Sequence, residues 1–481
     1  MRRPLFLLLA AAGLAGCAVG PRYATPQTPA PAAGSFSSAP AVVTSGDATS
    51  PTWWRLYQDP VLDRLVEQAL AENLDLKVAA ANLDYAEGLV SETRSNLLPS
   101  TTLDAGAAYG RSAAANQAAI AAGKSHAKAG WGYSTGFSAA YQVDLFGQVR
   151  RAIEAARANA GAAQAAEDAV RVTVAAEATS AYAQACGFAA QAAVARRSLA
   201  AAQETFDISR RQREAGAISD FDLARAEAAL EQARAAIAPL DGQRRTALLE
   251  LAALLGKTPS EIPAEAAACV APPQLAQPLP TGDGATLLRR RPDVRQAERV
   301  LASDTARIGV AVAEFYPSVS LGGSIADAAG SVGGLRRPGS ISYSLGPLVT
   351  WSFPNIALAR AHVIEARAQA SGALASFDST VLQALKETEQ ALTAYGAELD
   401  RHGALKAAAA RSDEALRLAR IQYEAGTISM LDLLTAQATA LGADQALAAS
   451  DQQLALDQVA VFQALGGGWE QAPKVTALKV G

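Results

Sequence analysis

For imidazole or thiolate chemistry this 481-residue chain offers only three histidines and three cysteines. His126, His362 and His402 lie far apart and form neither an HExxH pair nor a triad spacing, so no metal centre is expected. Three cysteines cannot build a four-thiolate zinc site or a disulfide framework. Gly256-Lys257-Thr258 looks like the end of a phosphate loop, but the glycine five positions earlier is missing and a helix precedes it. No nucleotide, no other cofactor and no clustered acid/base pair emerges, which points away from an enzyme. A net charge of −4 argues against a nucleic-acid partner.

The position that does invite chemistry is Cys17. Arg2 and Arg3 open the chain, Leu5 to Ala12 form an apolar run too short to span a bilayer, and Leu14-Ala15-Gly16-Cys17 follows. This resembles a bacterial lipobox, in which small residues fit a signal peptidase and the cysteine is lipidated, for example with palmitate. An export signal with an incidental cysteine shares the same opening. By the usual sorting rule, Ala18 rather than Asp after the cysteine favours the outer membrane. Residues 21–52, rich in Pro, Ala, Ser and Thr, read as an extended tether. No later apolar run is long enough for a transmembrane helix. Cys186 and Cys269 remain. An oxidising compartment allows a bond between them, and nothing in their spacing requires one.

Half of the chain is apolar, 18% is charged and only 6% is aromatic. Such a chain is ordered but short of bulk, which favours long, closely packed helices. It is also duplicated. Arg213-Glu-Ala-Gly216-Ala-Ile-Ser219-Asp-Phe-Asp222 aligns with Tyr423-Glu-Ala-Gly426-Thr-Ile-Ser429-Met-Leu-Asp432 at an offset of 210. Asp75-Leu76 stands to Pro99-Ser100 as Asp293-Val294 stands to Pro317-Ser318. The boundaries expected are a signal at 1–16, a lipidated tether at 17–57, repeats at 58–280 and 281–468, and a tail at 469–481.

Each repeat has the same order of elements. A helix (about 73–97, or 293–315) leads into strand one (100–110, or 318–326), a small-residue loop and strand two (131–146, or 340–353). In the first hairpin Tyr133, Thr135, Phe137, Ala139, Tyr141 and Val143 alternate with small or polar residues. In the second, Ile341, Tyr343, Leu345, Val349, Trp351 and Phe353 repeat the pattern, with Pro347 interrupting it. These strands are long enough to cross a bilayer, which takes about 9–11 tilted residues. Small polar residues on the other face suit a water-filled lumen. A soluble hairpin with one buried face would alternate in the same way.

A proline-free helical tract follows each hairpin, about 148–213 and 355–423. In the second tract, Leu374, Phe377, Val381, Leu385, Thr388, Leu392, Tyr395 and Leu399 recur near the coiled-coil period. Each tract makes a rod of roughly 100 Å. Gly216 or Gly426 turns the chain, and a return helix (219–256, or 429–466) follows. At roughly 57 Å, the return helix and the roughly 38 Å first helix can together line the rod. The two hairpins supply four strands, too few to close a barrel, and lipid forbids open edges. Several chains must therefore share one barrel: two copies give eight strands and a bore mostly filled by side chains, and three give twelve and a bore wide enough for a channel.

Together these features resemble the TolC-like outer-membrane factor family, in its lipoprotein branch of NodT-type efflux proteins. The residues that carry the resemblance are Cys17-Ala-Val-Gly-Pro-Arg-Tyr23, Trp53-Trp54-Arg-Leu-Tyr-Gln-Asp59-Pro60, Arg290-Arg291-Pro292-Asp293 with Ala297-Glu298, Phe315-Tyr316-Pro317 and Tyr423-Glu-Ala-Gly426. The resemblance implies a mainly helical periplasmic barrel and a 12-stranded transmembrane β-barrel shared by a homotrimer. It also implies a periplasmic adaptor, an inner-membrane pump, contact with outer-membrane lipid, and passive efflux through a lipid-anchored duct that extends into the periplasm. The exit duct of a type I secretion system is the alternative within this class. A cell-wall hydrolase would need a pocket of catalytic groups, and a periplasmic coiled coil would not explain the strands.

By the same resemblance, Gly216 and Gly426 fall at a periplasmic tip that docks the adaptor. Leu431 and Asp432 fall on pore-constriction positions, Leu431 as an apolar ring and Asp432 as a carboxylate ring. Asp222 matches a partner in a tip latch, but Ile428 stands where some members carry the latching arginine. Thr435 stands where a second acidic ring often lies. The residues themselves also permit Asp222 and Asp432 to be first-turn carboxylates favoured by a helix dipole.

Overall fold

In the computed structural model the described residues are 18–27, 32–40, 43, 50–275, 277–354 and 356–477. Cys17 and the expected signal at 1–16 lie outside them. The elements in chain order are α1 Pro60–Glu72, α2 Leu74–Ser95, β1 Ser100–Gly110, α3 Ala113–Ala121, β2 Gly130–Val143, α4 Gln148–Glu214, α5 Asp220–Ala235, α6 Ile237–Leu254, α7 Ala264–Ala267, α8 Gly284–Arg290, α9 Pro292–Ala313, β3 Ser318–Ala329, β4 Ile341–Thr350, α10 Ile356–Glu424 and α11 Met430–Ala464. The protein is mainly helical with one four-stranded sheet, and its element order repeats, as the duplication implies. No described helix is long and apolar enough to cross a membrane.

Two compact units are present, and each draws segments from both repeats. The first takes in the described part of Met1–Thr25 with Tyr85–Gly161 and Glu298–Ser376. Its sheet is antiparallel throughout, in the order β1-β2-β3-β4. β2 stops at Val143 because Asp144 caps α4, accepting from the backbone N–H groups of Val149 and Arg150 at 3.0 Å each. The loop after β1 contains a helix, α3, that the small-residue composition does not announce. Ser112 caps it by accepting from Ala115 N–H at 3.1 Å, and its alanines are strong helix formers. Beside the sheet, Ile308 and Ala311 of α9 pack on Val363, Ala366 and Ala370 of α10.

The second unit comprises the described part of Pro26–Asp84 with Ala162–Ala297 and Phe377–Gly481. Alanine lets its helices pack closely: Ala175, Ala176, Ala178, Ala181, Ala183 and Ala185 on α4 are all buried. The Trp53-Trp54 pair forms the heart of this core. Trp53 is fully buried and stacks on Phe462 of α11 at 4.7 Å. Asp59 then caps α1, accepting from Val61 N–H at 2.8 Å and from the Tyr182 hydroxyl at 3.0 Å. Cys186 and Cys269 are joined in a disulfide with Cα atoms 5.2 Å apart.

The first repeat's return helix differs from the continuous 219–256 expected. It breaks at Ala236, between α5 and α6. Pro239 lies in the first turn of α6 and has no N–H to offer the carbonyl four residues back, so the ladder is interrupted there. The second repeat has no such proline, and α11 runs unbroken for 35 residues.

The arginine run 289–291 is structural. Arg290 pairs with Glu470 at 2.5 Å. The buried Arg291 donates to Asp293 (2.6 Å), Glu387 (2.8 Å) and the Ala464 carbonyl (2.8 Å). Gly466, at φ +66°, leaves room for it, since a Cβ there would sit 2.9 Å from Arg291 Cγ. Arg291→Ala is expected to cost about 2–3 kcal/mol, and Arg291→Lys to recover little because a point charge cannot fork between two carboxylates. This falls below the fully buried range because Asp293 and Glu387 remain 38% and 39% exposed. Urea midpoints of the three proteins check it; an alanine variant as stable as the parent refutes the role.

Candidate functional site

The sheet presents two chemically different faces. Register puts Leu103, Phe137, Ile325 and Tyr343 on one row across all four strands. On the same face lie Tyr109, Trp131, Tyr133, Tyr141, Leu321, Leu345 and Val349. This face is bare: Tyr343 is 85% exposed, Leu103 81% and Leu345 80%. The opposite face carries Thr102, Asp104, Ser134, Ser138, Gln142, Ser320, Ser324, Ser342 and Ser344, with glycine and alanine between and Leu348 as a large apolar exception near the end of β4. A hairpin meant for a soluble core would bury the apolar face within the unit. Here that face is left to an apolar solvent.

Aromatic side chains gather at both ends of the sheet. At the end where the β1–β2 loop lies, Trp131 contacts Tyr109 at 5.7 Å and Tyr133 at 6.3 Å. At the helix end, Trp351 stacks on Phe353 at 5.0 Å and Phe146 on Tyr316 at 4.5 Å. Ten residues separate Trp131 from Tyr141 along β2. That is about 33 Å of strand, or roughly 23 Å of height at a tilt near 45°, the thickness of an outer-membrane apolar band. The sheet also has two open edges, because β1 pairs only with β2 and β4 only with β3. Their unpaired N–H and C=O groups cannot stay bare in lipid. Because the three pairings are all antiparallel, β1 and β4 run in opposite directions, so joining β4 of one copy to β1 of another would continue the alternation.

In the second unit, two helical hairpins turn on glycine. Gly216 (φ +70°) and Gly426 (φ +69°) each follow a long helix. Ala217 N–H donates to the Gln212 carbonyl at 2.8 Å, and Thr427 N–H to that of Gln422 at 2.9 Å, the longer bond of a Schellman ending. A Cβ would meet nothing at either glycine, so backbone conformation, not space, calls for glycine. Each return helix then starts with a capping box. Ser219 and Asp222 form one, Ser429 and Asp432 the other. Asp432 Oδ2 accepts from Ser429 Oγ at 2.6 Å and Ser429 N–H at 3.1 Å. These bonds hold its carboxyl below the usual carboxylate range. The reading as first-turn carboxylates therefore has a direct geometric basis for both residues.

The turns are secured in ways the sequence did not announce. Arg213 forks onto Asp220 at 2.5 and 2.9 Å across the first turn, holding that carboxyl low as well. The matching positions of the second repeat are Tyr423 and Met430, which cannot form that pair. Tyr423 instead donates its hydroxyl to Gln212 Oε1 at 2.7 Å, tying the end of α10 to the end of α4. Asp222 bonds within its own cap, and Ile428 supplies no charge for a latch. Leu431 and Asp432 lie on the exposed side of α11, whereas Met430 and Leu433 are buried. Thr435 bonds the Leu431 carbonyl at 2.7 Å. Among the described residues no group of three or more His, Cys, Asp or Glu side chains could hold a metal ion. Tyr423 belongs to the repeated Glu-Ala-Gly motif, but its partner Gln212 carries no sequence signal of its own.

Comparison with known proteins agrees with this geometry. The family profile described as "Outer membrane efflux protein" matches residues 65–257 and 285–467, one match in each half. "Nodulation protein T" of Rhizobium leguminosarum bv. trifolii is 33% identical over 480 residues, covering 98% of both chains. "Outer membrane protein OprJ" of Pseudomonas aeruginosa is 31% identical over 481 residues, again covering 98% of both. Among solved structures, that reported as "Structural insights of the outer-membrane channel OprN" superposes with a TM-score of 0.86 at 33% identity. It covers 94% of this chain and 100% of that one.

Proposed function

The chain belongs to the outer membrane efflux protein family, and we propose that three copies close one barrel in the outer membrane and form the exit duct of a tripartite efflux system. The observation that carries this reading is the bare apolar face of the sheet, bounded by aromatic side chains and by two open edges. Three copies of four strands give twelve, enough for a channel. The polar faces line a wet bore, and the helices extend it into the periplasm. There the duct meets a periplasmic adaptor and an inner-membrane pump, which supplies the energy. The chain is a passive conduit with no catalytic role, and it sits in the outer membrane. Efflux fits better than type I protein secretion because the family profile is one of efflux proteins.

Finer assignments belong to this proposal. Cys17 is the acylated N-terminus of the mature chain and 17–57 its tether. The repeats occupy 58–280 and 281–468, with a tail at 469–481. The turns at Gly216 and Gly426 dock the adaptor, and Asp222 steadies the first of them. Leu431 and Asp432 narrow the pore, and the Tyr423–Gln212 bond holds the narrow state. Planar-bilayer recording of the purified protein tests the reading: discrete channels are expected, and a protein that never conducts refutes it. Removing the Tyr423–Gln212 bond by Tyr423→Phe should shift the open–closed ratio roughly fivefold toward open, the equivalent of about 1 kcal/mol. Asp432→Asn keeps a capping acceptor but removes the charge. It should lower cation preference with little change in helix stability, and unchanged selectivity would move the constriction elsewhere.

A further inference from the structure

We propose that Arg150, Arg157 and Arg299 form a binding site for the phosphodiester headgroup of an anionic membrane lipid, beside the helix end of the sheet. This inference rests on the reading that the sheet spans the outer membrane. The three arginines, with Tyr23, Leu97 and Glu154, line a cavity of about 560 Å³ in the first unit. All three are exposed. Arg150 is also tied to Asp144 at the end of β2, its Nε 3.2 Å from Oδ2. Arg157 lies seven residues further along α4, about 10 Å away. The headgroup layer adds about 5–8 Å to each side of the hydrocarbon core, so the cavity opens at the depth of lipid phosphates.

Charge in the cavity is unbalanced toward the positive. Glu154, its one acidic lining residue, is already engaged by Arg151 at 2.8 Å. Arg299 contacts Glu298 at 2.9 Å, and that buried carboxylate also accepts from the Tyr23 hydroxyl at 2.5 Å. Arg157 has no hydrogen-bond or ion-pair partner among the described residues, so its guanidinium is available to a phosphate oxygen. Gly161 leaves a notch in α4 over which the Arg299 stem lies; a Cβ there would come within 3.2 Å of Arg299 Cδ.

Two further observations point to a lipid rather than free phosphate. Leu97, on the cavity wall, is 43% exposed and the adjacent Leu98 is 67% exposed, a surface that suits acyl chain. The cavity is also partly walled by the segment that follows Cys17. Val19 N–H donates to the Phe146 carbonyl at 3.1 Å, and the buried Arg151 donates back to the Val19 carbonyl at 3.2 Å. Gly20 packs directly on Gly309, where an added Cβ would come within 2.5 Å of Cα. Tyr23 therefore stands fixed at the cavity, on the chain that the lipobox marks for acylation.

The test uses the full-length lipidated trimer in nanodiscs of phosphatidylglycerol and phosphatidylcholine, with native mass spectrometry for retained lipid and bilayer recording for channels. The wild type should retain phosphatidylglycerol in preference to phosphatidylcholine. Arg157→Gln and Arg299→Gln should each lower that preference about fivefold while the channels conduct normally. Arg337→Gln, in the loop between β3 and β4, should leave it unchanged. Full phosphatidylglycerol retention by a conducting Arg157→Gln/Arg299→Gln variant would overturn the site. Displacement of the lipid by inorganic phosphate at equal concentration would overturn the lipid assignment. A wild type that never conducts would instead strike the channel reading beneath it.

Discussion

Phe137→Arg should abolish stable insertion in the outer membrane, whereas Ser138→Arg, one residue away, should be tolerated. Phe137 is central in β2 and lies on the row with Leu103, Ile325 and Tyr343. It is 46% exposed in a single copy, so no core within the chain depends on it. In a soluble protein the substitution would be mild. At the midplane of a bilayer an arginine on the lipid face costs about 2–4 kcal/mol per strand, and a trimer carries it three times. Ser138 points to the polar face, opposite Thr102 and Ser324. An arginine there meets water, and its expected effect is a change in ion selectivity, not in assembly. Heat-modifiable trimer bands on gels of outer-membrane fractions report the first effect, and bilayer recording the second. If both variants insert equally well, the apolar face does not see lipid.

Removing the disulfide should have the largest effect on the second unit. Cys186 is fully buried on α4, and Cys269 follows the short helix α7; 83 residues separate them. Closing a loop of that size restricts the unfolded chain by about 4.5 kcal/mol in the chain-entropy account, an upper figure because unfolded chains retain structure. Cys186→Ala/Cys269→Ala places alanine among alanines, so little packing is lost. The unfolding midpoint should fall by about 5–10 °C. Reductant should lower the wild type to the same value and leave the double variant unmoved. Equal midpoints for oxidised and reduced wild type would show that the bond contributes nothing. Scan rate must be held constant, because a membrane trimer unfolds irreversibly.

Much of the molecule was legible because its signals are periodic. Alternation in 131–143 gave the two faces of β2, and parity alone decides which side chains share a face. The proline-free tracts predicted α4 and α10 closely, at 67 and 69 residues. Gly216 and Gly426 marked the turns because only glycine takes positive φ without strain. Boundaries were less legible. Nothing in Tyr141 to Phe146 says that Asp144 will leave the strand to cap a helix. Pro239 was visible, but a proline in a first turn and one in an interior look alike until the break at Ala236 is seen.

The sequence alone determined that this protein has two repeats, two strand pairs and long apolar-striped helices that no single copy can satisfy. That follows from local chemistry, since period, glycine and proline act within a few residues. Only the tertiary structure decided which surfaces meet. It paired Cys186 with Cys269, stacked Trp53 on Phe462, placed Arg291 among Asp293, Glu387 and the Ala464 carbonyl, and tied Tyr423 to Gln212. Most of these partners lie 83 to more than 400 residues apart. An apolar stripe records that a helix must be covered but not by what, and a buried polar atom accepts any donor of the right geometry. Specific pairing across such distances is set by the path of the whole chain.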